Sequence, residues 1–265
     1  MFYLLFLLVT LAILFFAFYH WQFYMVFTPT HYKNRKLNAK SRILEIVVED
    51  NIRLEGVIYE PERPVATILL FVGRSQDAVA LMDKFSSYYP LCRIVSFNYR
   101  GYGESSGEVN EKNMLSDALE IARLVEKNYG AFYLFGYSLG SNVAAYVAQE
   151  RAARGLFLVG AFDSLASLAK SRFVQRGFFP DIDLSSIFRY RLATGEYVQN
   201  ILTPTYLFVS RSDDVTYIEN ARILKEKIRN LVEYVELEGL NHKELLWDSG
   251  VTDKINRVIA DENTL

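Results

Sequence analysis

The chain opens on one long apolar stretch, and after about residue 43 the pattern breaks into short apolar runs separated by amphipathic ones. From Phe2 to Phe27 no residue is charged at neutral pH. At about 1.5 Å of rise per residue, a helix of that length exceeds a hydrocarbon core of about 30 Å. The pattern therefore predicts one transmembrane anchor in residues 1–27. Tyr19, Trp21 and Tyr24 gather towards its end, where aromatic rings favour the headgroup level, and Pro29 stops it. A cleaved signal would want basic residues before the apolar run and a small-x-small site after it, and neither is written here.

Past a linker at residues 28–42, runs at 43–49 and 53–59 flank Asp50-Asn51 and predict an antiparallel opening pair. Further runs at 66–72, 93–98, 131–135, 156–160, 205–209 and 232–237 alternate mainly with helical patterns. Eight strands in that alternation, mostly parallel, demand helices on both faces and form one α/β domain over residues 43–265. Met114, Leu115, Ala118, Leu119, Ala122 and Val125 have the spacing of a helix that covers the sheet. Chemistry is expected in the loops at the C-terminal ends of the parallel strands. One stretch, 172–198, interrupts the rhythm: Phe173, Phe178, Phe179, Phe188 and Tyr190 stand among Arg172, Arg176, Arg189 and Arg191, with Pro180 between. By position it is a short cap. Its aromatics, Phe178 and Phe179 foremost, either line an acyl-chain groove or touch the bilayer, or simply close the core over the sheet edge.

Gly136-Tyr137-Ser138-Leu139-Gly140 lies between an apolar strand pattern and a helical one. A serine pushed out on so tight a turn needs neighbours without bulk, and Gly136 and Gly140 supply them. The turn starts a helix, so the Leu139 N–H is the natural first donor to a developing oxyanion. Serine alone is a poor nucleophile and requires a base and an orienting acid. Of three histidines, His20 lies in the apolar start and His31 just beyond it, which leaves His242 as the base. The acid belongs in the polar loop after 205–209: Asp213 is the first choice, Asp214 its neighbour, and Asp163, after 156–160, a third candidate.

From about Ile43 onward the chain resembles the α/β-hydrolase superfamily, and within it the membrane-anchored serine hydrolases related to serine aminopeptidases, monoacylglycerol lipases and acyl-protein thioesterases. The residues that carry the resemblance are Asn98-Tyr99-Arg100-Gly101-Tyr102-Gly103-Glu104-Ser105, the turn at Ser138, and the loops at Asp213 and His242. Their order, serine then acid then histidine, is the order of that fold. The resemblance implies an α/β-hydrolase fold, a Ser138-His242-Asp213 triad and a second oxyanion donor in the backbone N–H of Arg74. Three departures stand out: Val72 where a histidine is usual, Ser210 where a glycine is usual, and Asn98 where an aspartate is usual.

Charge bounds the partners. The formal charge is −2, yet residues 33–42 carry +5, which leaves −7 elsewhere. An acidic body argues against nucleic acid, while the basic stretch beside the anchor suits anionic headgroups. By the positive-inside rule it also sets the domain on the cytoplasmic side, as a single cysteine, Cys92, would suit. No zinc spacing and no phosphate-binding Gly-x-x-x-x-Gly-Lys loop is written, so no cofactor or metal is expected. The expected function is a membrane-anchored serine hydrolase acting on a small acyl substrate or an acylated protein; the alternative is a membrane-tethered scaffold that kept the fold without the chemistry.

Overall fold

The structure, a computed structural model, describes residues 2–175 and 185–262. Eight strands form a single sheet in the order β1-β2-β4-β3-β5-β6-β7-β8. They are β1 (Ser41–Val48), β2 (Ile52–Tyr59), β3 (Ala66–Phe71), β4 (Cys92–Phe97), β5 (Tyr133–Tyr137), β6 (Leu156–Val159), β7 (Thr205–Ser210) and β8 (Leu231–Leu237). β2 runs antiparallel to β1 and β4, and every other pairing is parallel. Strands in the middle of a parallel sheet are covered on both faces, and β5, β6 and β7 are accordingly buried along their whole length. β1 at one edge and β8 at the other are largely open.

Helices α1 (Phe2–Val26), α2 (Ala78–Tyr88), α3 (Glu111–Tyr129), α4 (Leu139–Glu150), α5 (Leu165–Gln175), α6 (Thr194–Tyr197), α7 (Ile218–Lys227), α8 (His242–Leu245) and α9 (Ser249–Glu262) complete the described fold. Side-chain caps start several of them. Asp77 accepts from the amides of Val79 and Ala80 at the head of α2, and Asn110 and Asn241 form reciprocal capping boxes at α3 and α8. The core-facing stripe of α3 is Met114, Leu115, Ala118, Ile121, Ala122 and Val125, close to the periodicity of the sequence.

α1 is an apolar helix whose first turns stand clear of the domain, with Phe2, Tyr3, Leu4 and Leu5 all exposed. Its last residues are not clear of it: Gln22, Val26 and Phe27 are buried. The chain then runs along the domain surface. Of the five basic residues in 33–42, Arg35 turns inward, to Glu55 at 2.6 Å, Glu104 at 3.3 Å and Asp77 at 3.8 Å. Phe178 and Phe179 lie outside the described residues. Phe188 and Arg189 of the expected cap pack on α1, against Phe18 and Tyr19, and Tyr190 packs on Phe27 just beyond it.

The loop after β4 is pinned by a buried bidentate pair: Arg100 donates through Nε and Nη2 to the two oxygens of Asp117 at 2.8 and 2.7 Å. Removing one member of a buried pair leaves the other uncompensated. Asp117→Ala is therefore expected to destabilise the fold by about 3–5 kcal/mol, read as a lower denaturant midpoint at unchanged slope; a midpoint at the wild-type value contradicts this role.

Candidate active site

The sequence places Ser138 between β5 and α4, and the backbone there is forced. Ser138 has φ 54° and ψ −118°, a conformation that L-residues rarely adopt and that costs of the order of 1–3 kcal/mol. Close packing holds it. A Cβ on Gly140 would stand 2.0 Å from the carbonyl oxygen of Phe71 and 2.8 Å from that of Val72, and one on Gly136 would stand 2.5 Å from the Gly140 oxygen. Only glycine fits either position. β5 runs through Tyr137 and α4 begins at Leu139, so the turn is a single residue wide.

Three distant segments meet at this turn. His242 Nε2 lies 2.9 Å from Ser138 Oγ, and His242 Nδ1 lies 2.7 Å from Asp213 Oδ2. All three side chains are buried. Asp213 is held by further donors: the Val215 and Thr216 amides at 2.8 and 2.7 Å and the Thr216 hydroxyl at 2.7 Å. Burial by itself would raise the carboxyl's pKa, but the hydrogen bond and charge of His242, together with the Thr216 donors, hold it below the ordinary value. Its contribution to stability is thus present above about pH 4 and is lost only as pH falls through the lowered folded-state value. Of the other carboxylates weighed, Asp214 only accepts the His242 backbone N–H at 3.5 Å, and Asp163 accepts from Lys227 Nζ at 2.6 Å.

Two further amides belong to the head of α4 and to the loop after β3. Leu139 is the first residue of α4, where an N–H has no intrahelical acceptor. Arg74 follows Gly73, whose own N–H goes to Gln76 Oε1 at 2.7 Å, and Gln76 N closes the turn on the Gly73 oxygen at 3.2 Å. Among the described residues neither the Leu139 nor the Arg74 N–H has a protein acceptor. The approach of Gly140 to Phe71 and Val72 brings the two loops side by side. A cavity of about 850 Å³ opens over them, lined by Ser138, His242, Arg74, Tyr32, Lys84 and Trp247 among others. None of the described residues 185–198 lines it.

Several residues escaped the sequence reading. Tyr137 stacks on the imidazole, ring centres 5.1 Å apart, and its hydroxyl donates to the His242 carbonyl at 2.8 Å. Burial pushes that phenol's pKa up, with the charges of Asp213 and Asp214 adding to it, so it stays a donor. Thr216 was legible only as the residue three after an aspartate, the spacing of a side-chain turn. The departures from the family pattern have local reasons. The Ser210 hydroxyl ties the acid loop to the histidine loop through the Leu240 oxygen at 2.6 Å. Asn98 donates its amide to both Glu55 and Asp77, at 3.0 and 3.1 Å, where an aspartate would repel two carboxylates.

Comparison with known proteins agrees with this fold. A family model described as the alpha/beta hydrolase fold matches residues 90–181. The lysophosphatidylserine lipase ABHD12 of Danio rerio is 30% identical over 136 residues, which is 46% of this chain and 36% of that protein. The alpha/beta hydrolase domain-containing protein 17C of Mus musculus is 23% identical over 240 residues, 87% of this chain and 71% of its own length. Among solved structures, an esterase from Pyrococcus furiosus has a TM-score of 0.64 at 18% identity, over 88% of this chain and 97% of its own. The esterase domain of a Rhodothermus marinus protein has a TM-score of 0.58 at 21% identity, over 83% and 96%. Identities this low in the solved structures speak to the fold alone, and the chain spans about a third of the lipase. Taken with the sheet order and the turn at Ser138, the matches show the α/β-hydrolase fold and a distant homology to these hydrolases.

Proposed function

We propose that the protein is a membrane-anchored serine hydrolase that cleaves an acyl ester, thioester or amide through an acyl-enzyme. The observation that carries the reading is the continuous relay from Ser138 through His242 to Asp213, with the Leu139 and Arg74 amides left without protein acceptors among the described residues. Ser138 Oγ attacks the substrate carbonyl while His242 Nε2 takes its proton. The negative charge on the carbonyl oxygen is met by the N–H groups of Leu139 and Arg74, as the carbonyl itself is not. Collapse expels the alcohol, thiol or amine, which leaves with the proton from Nε2. Water then repeats the sequence on the acyl-serine, and Asp213 holds the neutral imidazole in the tautomer with a bare Nε2 before each proton transfer and stabilises the imidazolium that forms.

The anchor argues for substrates found at a membrane. α1 is long and apolar enough to cross one, with aromatic residues at its domain end and a basic stretch after it. A lipid or an acylated protein is presented to the cavity there more readily than a bulk solute, and the name of the Danio rerio relative, a lipase, points the same way. The basic flank favours the cytoplasmic side for the domain.

In full-length protein in detergent micelles, Ser138→Ala and His242→Ala are each expected to lower kcat on a p-nitrophenyl ester at least 10³-fold, and Asp213→Asn about 10⁴-fold through the wrong tautomer. Wild-type protein that is folded yet turns over no ester, or a Ser138→Ala variant as fast as wild type, favours the scaffold instead. For orientation, protease added outside sealed cells is expected to leave the domain intact and to digest it only after permeabilisation. Digestion in sealed cells reverses the assignment.

A further inference from the structure

We propose that the end of α1 is a buttress for the oxyanion loop, with the Arg74 side chain, Tyr102 and Gln22 as positioning residues for the Arg74 amide; this rests on the hydrolase reading above. A membrane tether needs nothing more than length and apolarity. Here the helix end and the active-site loop are bonded to each other. The Arg74 carbonyl accepts from the Thr28 N–H at 3.2 Å and from the Tyr102 hydroxyl at 2.6 Å, and the same Thr28 N–H lies 2.9 Å from Tyr102 Oη. The Arg74 guanidinium reaches back through Nη1 to the Met25 carbonyl at 2.5 Å. That carbonyl belongs to the last turn of α1, which lacks intrahelical donors and whose dipole favours a cation. Every polar group of residue 74 with a partner among these bonds is thus tied to the exit of the anchor or to Tyr102. Among the described residues the Arg74 backbone N–H, unlike its carbonyl, has no protein partner.

The helix is held just as firmly from its other side. Gln22 is 1% exposed, in a helix otherwise written for lipid. Its side chain donates to the Ile187 oxygen at 3.2 Å and accepts the Arg189 N–H at 2.6 Å. A polar amide buried on an apolar helix is costly unless it is paired, so this residue fixes both the rotation and the depth of α1 against the domain. Phe27, fully buried, packs edge-on against Tyr190 at 5.2 Å. Beyond the helix the clamp continues, with Gly103 N bonded to the Thr30 oxygen at 3.0 Å and Arg35 on Glu55. The anchor is gripped between the 187–190 segment and the oxyanion loop, so a shift of α1 is transmitted to the Arg74 peptide.

The physical consequence is specific. An oxyanion donor acts on the transition state and not on bound substrate, so loosening it lowers kcat and leaves KM in place. Loss of a donor outright costs about 10²–10³-fold, and a misplaced donor is expected to cost about tenfold. Full-length protein in lipid nanodiscs is assayed on p-nitrophenyl butyrate, a substrate too small to need the bilayer. Arg74→Ala, Tyr102→Phe and Gln22→Leu are each expected to lower kcat about tenfold with KM within about twofold of wild type. Arg74→Lys, which keeps a donor for the Met25 carbonyl, is expected to recover most of the loss in Arg74→Ala. Melting temperatures identify any variant that fails to fold; Arg74 is exposed and Tyr102→Phe keeps the ring, so these two carry the test. Ser138-dependent turnover that is indifferent to both, or a loss confined to KM, overturns the buttress and leaves the hydrolase standing. Wild-type protein without Ser138-dependent turnover overturns both.

Discussion

The structure depends on one close approach: the backbone of Gly140 against the carbonyls of Phe71 and Val72. With a side chain at residue 140, the head of α4 could not sit against the end of β3. That contact holds Ser138 in its strained conformation and sets the Leu139 amide beside the Gly73-Arg74 turn. The cost of the strain, of the order of 1–3 kcal/mol, is carried by the buried sheet around it. β5 lies between β3 and β6, and each is paired along its length.

Around that contact the remaining parts are placed by the ends of neighbouring strands. β7 delivers Asp213 and β8 delivers His242, and their loops are joined by the Ser210 hydroxyl. Tyr137, the residue before the serine, closes the arrangement by bonding the His242 backbone. The side chains of Ser138, His242 and Asp213 are thus oriented by main-chain contacts at least as much as by one another. Under the proposed function, such an arrangement would be set before substrate arrives, which is what stabilisation of a developing charge requires.

Much of this was legible in the sequence, for reasons that also explain what was not. The strands could be read because both-faces burial writes them as unbroken apolar runs, as in Leu156–Val159. The turn at Ser138 could be read because its glycines are sterically obligatory. Its register was less visible: β5 runs on through Gly136 and Tyr137, residues that do not look like a strand. Periodicity cannot reveal which apolar segments pair across 160 or more residues. By position the aromatic stretch at 172–198 reads as a short cap, and the contacts of Phe188 with Phe18 and of Tyr190 with Phe27 are visible only in the fold. Nothing in the sequence marks Gln22 out within the span, and only the fold shows it as a fixed contact. The sequence prefers Asp213 to Asp214 by position alone; the contact with His242 Nδ1 and the Thr216 donors that set it apart are displayed only by the folded loop.

The most direct measurement of the central claim is to treat the folded, full-length protein with a fluorophosphonate and locate the adduct by peptide mass mapping. An activated hydroxyl at Ser138, and no other serine, is predicted to carry the phosphonyl group. An adduct on a different residue, or none on protein shown to be folded, would contradict it.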